Sequence, residues 1–457
     1  MLNIFKDKGG DLLKIPNLLL STIILFISNF IVRGLGFLYK IFLSNVIGET
    51  GLGIYNMIFN FLLICLALTT TGIPTALSCL VAKRKALKDI HQTNTLFIST
   101  LYVAFIISFL ISLGIAFNSE FLSLYLLKNK NLNLFVLSIC PAIVIITISN
   151  IMRGYYYGIK KVAIPAIGQI LEQISKVLFV FLLCMYFNDK AINCYIALLG
   201  ISIGEASNIL FMAIYLYKDN YLSNKYIINI KDFTNASVET IKMSLPITCN
   251  RMSNVLLQSI SSMMVPSRLV LAGINYATSL KLYGIISGMV MPFVYLPFTV
   301  GSALVVNLIP SISQEMALSK YNNVLRKIKY SIALTVLVGV LSSFIFYFFG
   351  EKICLIVFKN ELARNYLKAM SLAPLFLSLN QTLSGVLHSI RKELESSINT
   401  IVGMVIQIIA LYFLLPIPNL NIYAYIYTMT VVAIITSILH IIVLVKTAKK
   451  LKVRRVK

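Results

Sequence analysis

Apolar runs long enough to cross a lipid bilayer recur along the whole chain, and that pattern restricts it to helices packed within a membrane. A bilayer core takes roughly 20 apolar residues per helix at about 1.5 Å of rise each. Lipid satisfies no backbone polar group, so irregular or open-edged spans are excluded. Runs of this length lie near 18–42, 52–81, 93–117, 131–158, 162–186 and 190–217, and again near 243–270, 276–309, 327–349, 363–390, 396–416 and 421–445. The expectation is an all-α polytopic membrane protein of about twelve transmembrane helices in two parallel six-helix bundles. A mean hydropathy of +0.87, with 58% hydrophobic and only 12% charged residues, excludes a water-soluble globule, whose apolar fraction is nearer half. Lys6, Lys8 and Lys14 ahead of the first run resemble a secretory leader. The run continues past Arg33 to Phe42 with no small-x-small cleavage site, however, and so reads as the first span.

The net charge of +24 is distributed as topogenic charge. Basic residues stand singly or in short clusters between the runs, which argues against nucleic acid as a partner. Lys83, Arg84, Lys85 and Lys88, then Lys160 and Lys161, then Lys218 to Lys242, then Lys320 to Lys329, then Arg391 and Lys392 all fall in even-numbered connections. With both termini, this places roughly two thirds of the 40 Lys and Arg on one side, which the positive-inside rule assigns to the cytoplasm. The chain is expected in a bacterial cell membrane, multi-pass, with both termini cytoplasmic; its wealth of Lys, Ile and Asn fits an AT-rich genome. Residues 1–217 form the expected N-terminal bundle, 218–242 a cytoplasmic linker, and 243–457 the C-terminal bundle with a basic tail. Seven cysteines with no C-x-x-C pair lie nearly all inside apolar runs and read as packing residues, not as a metal site or disulfide frame.

The two halves repeat. Gly154-Tyr155-Tyr156-Tyr157-Gly158-Ile159-Lys160-Lys161 returns as Gly385-Val386-Leu387-His388-Ser389-Ile390-Arg391-Lys392, each after a run opened by Ser-x-x-Pro at Ser138–Pro141 and Ser371–Pro374. Short apolar pieces, Phe121 to Leu127 and Ile353 to Phe358, are expected to lie at the interface. An even number of spans per half gives both copies one orientation, the plan of transporters whose halves rock about a seam.

Charged side chains inside spans cost several kcal/mol unless a partner or a wet cavity receives them. Arg33 lies roughly 22 Å into its span, too deep to snorkel back, and Arg251 occupies the first helix of the second half beside Asn250 and Asn254, with Gln258 one turn on. If both first helices line the seam, two guanidinium forks meet there and suit a phosphate. The alternatives are carbonyl capping, a structural acid, or the nearer interface. Glu172 and Lys176 are spaced for an intrahelical ion pair, and Glu205 in the next helix approaches Glu172 either as a structural partner or as a titrating or cation-holding coupling group. Lys40 and Arg153 sit near span ends, where snorkelling is expected, though binding stays open for both. Gly72-Ile73-Pro74, Pro292, Pro297 and Pro310 interrupt or end helices. His91, His388 and His440 are isolated, and no nucleotide loop or nucleophile motif accompanies them, so no catalytic constellation and no cofactor are expected.

Arg33-Gly34-Leu35-Gly36-Phe37 with Lys40, Ile47-Gly48-Glu49-Thr50-Gly51-Leu52-Gly53-Ile54-Tyr55, Gly72-Ile73-Pro74 and Leu80-Val81-Ala82 resemble the opening of polysaccharide exporters and lipid flippases of the multidrug/oligosaccharidyl-lipid/polysaccharide (MOP) superfamily. Leu282-Tyr283-Gly284, Gly288-Met289, Met291-Pro292, Leu308 to Ser313, and Gln169, Glu172, Gln173 and Lys176 resemble its stage V sporulation protein B-like branch. The resemblance implies the MATE/MOP-like two-bundle fold. It also implies translocation of an undecaprenyl-pyrophosphate-linked saccharide, such as a peptidoglycan precursor, between leaflets by alternating access, driven by Na+, H+ or membrane potential. Arg33 and Arg251 would then hold the pyrophosphate, and a monomer would suffice. Drug-extruding relatives often carry an acid in the first helix, where this chain has only cations. The rival readings are a cation-coupled multidrug antiporter using Glu172 and Glu205, and a non-transporting scaffold in envelope assembly.

Overall fold

The computed structural model describes the backbone of residues 17–70, 72–87, 89–125, 129, 132–218, 229–298, 312, 315–316, 320–390 and 392–456. Within these, the side chains of 17–23, 26, 86, 90, 246–247, 249–251 and 449–456 lie outside the description. The described residues form no strand. The first half comprises α1 (Asn17–Thr70), α2 (Ile73–Ala86), α3 (Ile90–Phe117), the short α4 (Ser119–Tyr125) and α5 (Asn133–Ser138), then α6 (Cys140–Gly158), α7 (Ala163–Cys184) and α8 (Lys190–Lys218). The second half comprises α9 (Ile230–Leu271), α10 (Tyr276–Gly284), a π-helical segment (Ile285–Val290), α11 (Met291–Val294), α12 (Tyr321–Phe358), α13 (Glu361–Ala369), α14 (Ala373–Ser389), α15 (Glu393–Leu414) and α16 (Tyr423–Val456).

Among the described residues, nine helices are long and apolar enough to cross a membrane. The first holds two spans, because α1 breaks at Gly48 (φ 68°, ψ −173°), a left-handed conformation that glycine adopts without strain. The amphiphilic α9 and the 17-residue α14 complete the twelve. Three expected boundaries move. The helix expected from 243 begins at Ile230, where Asn229 caps it by accepting from the Lys231 N–H at 3.2 Å. Ile353 to Phe358 is no separate interfacial piece but the last turns of α12, whose apolar run simply continues. The run from 363 divides at 370–372 into the amphipathic α13 and the spanning α14.

The sequence repeat is a structural repeat. Pro141 and Pro374 sit in the first turns of α6 and α14, where a missing N–H costs nothing. Both helices end in the same cap: Lys161 N donates to Tyr156 O at 3.0 Å and Lys392 N to Leu387 O at 2.8 Å. Ile159 N likewise donates to Tyr155 O, as Ile390 N does to Val386 O.

The halves meet through a crossing with its own two-fold logic. A β-carbon on Gly53 would stand 2.1 Å from Leu280 O, and one on Gly284 would stand 1.9 Å from Glu49 O. The spacing from Gly53 to Gly284, and from Glu49 to Leu280, equals that from Gly154 to Gly385. Each contact is therefore the copy of the other, as in an isologous interface. The largest buried apolar cluster runs straight through this crossing, joining Leu43, Ile47, Leu52 and Ile58 to Tyr283, Ile285 and Val290. Lys281 closes on Glu49 at 2.9 Å, and Asn360, the N-cap of α13, donates to the same carboxylate. Near the basic connections, Arg84 pairs with Glu239 at 3.0 Å and the hydroxyls of Thr100 and Thr240 are 3.3 Å apart.

Candidate functional site

In the first half, three helices bring one guanidinium and two carboxylates together. Arg153 Nη2, on α6, reaches Glu172 Oε2 on α7 at 2.8 Å and both oxygens of Glu205 on α8 at 2.9 and 2.8 Å. The three side chains are 15%, 16% and 8% exposed, so solvent screening is weak. Asn150 Oδ1 accepts from Arg153 Nη1 at 3.4 Å, and the Asn208 amide, with its oxygen toward the guanidinium, accepts at 2.8 Å. Gly204 makes this packing possible, since a β-carbon there would be 2.8 Å from Glu172 O.

Two expectations are corrected here. Arg153 does not snorkel, because two acids from neighbouring helices outcompete the interface for its guanidinium. Glu172 takes Arg153 in place of a Lys176 ion pair, and Lys176 sets its ammonium 5.2 Å from the centroid of Tyr39. Glu205 does approach Glu172, with Arg153 between them.

A second feature is a cavity of about 560 Å³, lined mainly by the second half and closed on one side by α1. Lys40 is the cation among its described lining residues, with Asn56 and Asn60 from α1, Gln258 and Ser261 from α9, Tyr283 and Ser287 from the α10 region, and Asn380, Gln381, Thr400, Gln407 and His440 from α14 to α16. Lys40 Nζ donates to Asn56 Oδ1 at 3.0 Å and to the Ser287 carbonyl at 3.3 Å. Ser287 lies in the π-helical segment, whose wider register leaves carbonyls for outside donors. Lys40 thus binds the far half, where a span-end lysine is expected to reach for the interface. Tyr283 Oη accepts from Asn60 Nδ2 at 2.9 Å, a second polar tie between the halves.

Of the expected binding residues, the structure brings Lys40 and Gln258 to one cavity. Arg33 is exposed and stands outside the lining, its guanidinium 6.0 Å from the ring of Phe298, which does line it. Asn254 lies one turn from Gln258 and also outside the lining. The side chains of Asn250 and Arg251 lie outside the described residues, so the facing guanidinium pair is not described. The sequence reading missed Asn56, Asn380, Gln381, Gln407 and His440. Neutral side chains cost far less to bury than charged ones, so they stand out less in an apolar run.

The chain matches the family described as "Polysaccharide biosynthesis protein" over residues 18–316, and the MatE family over 251–413. It is 26% identical to stage V sporulation protein B of Bacillus subtilis (strain 168), covering 92% of this chain and 82% of that protein. It is 23% identical to the lipid II flippase MurJ of the same organism, covering 86% and 76%. Its fold is similar to that of a multidrug resistance MATE family transporter of the MOP superfamily in an inward-facing conformation, with a TM-score of 0.70 at 15% identity over 92% of this chain and 95% of that one. A MOP superfamily transporter from Pyrococcus furiosus, described by a binding pocket of reverse polarity, superposes with a TM-score of 0.66 at 15% identity, covering 94% and 96%. A break-and-cross architecture of two copied bundles, a polar cavity at their meeting and a match spanning most of the chain agree: the protein belongs to the polysaccharide biosynthesis protein family of MOP superfamily flippases.

Proposed function

We propose that this flippase carries an undecaprenyl-pyrophosphate-linked saccharide, a cell-envelope precursor of the peptidoglycan type, from the inner to the outer leaflet of the cytoplasmic membrane. The observation that carries the reading is the charge of the cavity. Its described lining includes the Lys40 ammonium and no carboxylate, and Arg33 stands beside its edge residue Phe298. Such a wall favours an anion and leaves a cationic drug without a counter-charge. The names of the stage V sporulation and lipid II relatives support a lipid-linked cargo and an envelope or sporulation setting. Two copied bundles that meet through α1 on one side and α9 and α10 on the other support alternating access by rocking, with the lipid tail remaining in the bilayer. The antiporter reading needs Glu172 and Glu205 to exchange cations, whereas both are held by Arg153 away from the lining. Their place in this proposal is to fix the first bundle as a rigid body, with membrane potential or an ion gradient supplying the drive.

The test is translocation of a fluorescent undecaprenyl-pyrophosphate saccharide in proteoliposomes, with and without an imposed potential. Arg33→Glu and Lys40→Glu are each expected to slow it about 100-fold, since reversing a charge replaces attraction by repulsion of comparable size in a low-dielectric setting. Unchanged translocation in both variants, or none in the parent protein, would overturn the assignment.

A further inference from the structure

The charges that fill the interior of the first half have no counterparts in the second, and the cavity opens in their place. The residue spacing that carries Gly154 to Gly385 also carries Arg153 to Ser384, Glu172 to Gly403, Lys176 to Gln407 and Glu205 to Thr436. All four of those second-half residues line the cavity. They keep the neighbour relation of the first half as well: Glu172 and Glu205 meet on Arg153, and a β-carbon on Gly403 would stand 2.3 Å from Thr436 Oγ1. Long charged side chains plug one bundle, and neutral, mostly shorter ones leave the other open at the corresponding place. The void is thus written into the repeat, in a protein interior where voids are otherwise few.

Away from Lys40, what this void offers is hydrogen bonding without charge. Gln381 and Gln407 present amides that bond no described residue, and Ser261 Oγ is buried without a partner. Each amide supplies donors and an acceptor together, which suits the paired hydroxyls of a sugar. Tyr283, Tyr295 and Phe298 add aromatic faces for its apolar C–H surface. Among the described residues the lining holds no acid and no arginine.

We propose that this second-half cavity is a saccharide subsite that takes an uncharged, polyhydroxylated sugar unit. That the sugar arrives attached to a lipid pyrophosphate, with Lys40 turned toward the anionic linkage, rests on the flippase reading. The binding of the sugar itself does not.

The chain contains no Trp, so one introduced reporter gives an unambiguous signal. The full chain carrying Met404→Trp, or independently Phe298→Trp, is placed in nanodiscs and titrated with soluble N,N′-diacetylchitobiose. Saturable quenching in about the millimolar range is expected, with Gln381→Ala and Gln407→Ala each weakening it about tenfold and leaving the unfolding midpoint of the protein in place. Ethidium, a cationic probe, is expected to give no saturable response. The subsite is overturned if neither reporter saturates with the disaccharide, if ethidium saturates instead, or if both glutamine variants bind as the parent does. Bound disaccharide in a protein that moves no lipid removes the flippase reading and keeps the subsite. Lipid-linked glycan moved without disaccharide binding does the reverse.

Discussion

Arg153→Met is expected to cost about 3–5 kcal/mol of stability, the loss seen when one partner of a buried ionic group is deleted and the other is left uncompensated. Two carboxylates, Glu172 and Glu205, then face each other with Lys176 as the remaining nearby cation, and Glu205 is buried while Glu172 is only slightly exposed. Methionine keeps most of the arginine's volume, so the loss reports charge and not a cavity. The triple variant Arg153→Met, Glu172→Gln, Glu205→Gln is expected to regain most of the stability, because two amides are far cheaper to bury than two carboxylates. Thermal unfolding in detergent reads both. A single variant that melts like the parent would mean that the cluster is hydrated and structurally idle, and the rigid-body role given to it would go.

The crossing of the halves makes the second large prediction. Gly284→Val puts a side chain where Glu49 O already stands at 1.9 Å and Gly53 N at 2.6 Å. Both obstacles are backbone, so no rotamer relieves the clash and the helices must part. Separation breaks the Glu49–Lys281 pair and opens the apolar cluster that runs from Leu52 to Tyr283. Gly53→Val should do the same through Leu280 O, as the repeat requires. Each is expected to abolish lipid translocation and to lower stability by about 1–3 kcal/mol, as overpacking does. Gly34→Ala is the control, since a β-carbon there meets nothing within 4 Å in an exposed stretch of α1. Equal losses in all three variants would show a general intolerance of α1 and not a specific crossing.

These two sites differ in how far a sequence exposes them. Gly53 and Gly284 stand at the spacing of the Gly154–Gly385 repeat, so the chain itself marks them as a pair, although their touching requires the fold. Arg153 is harder. The i,i+4 spacing of Glu172 and Lys176 predicts a local pair, because local spacing is the geometry a sequence displays. The partner that wins comes from α6, and its choice depends on the rotation of three helices about their own axes. Lys40 is similar: its position in the span predicts snorkelling, and the Asn56 amide with the π-helical carbonyl of Ser287 on the far half gives it another end.

The chain by itself determined the number and approximate place of the spans, the duplicated plan and the ends of the repeated helices, since bilayer thickness, proline placement and helix capping act within a few residues of one another. Tertiary structure alone decided which charges are neutralised and where a cavity remains. Helix rotation and interhelical distance set those outcomes through residues far apart in the chain, and an apolar helix in lipid carries little amphipathic pattern from which its facing could be read.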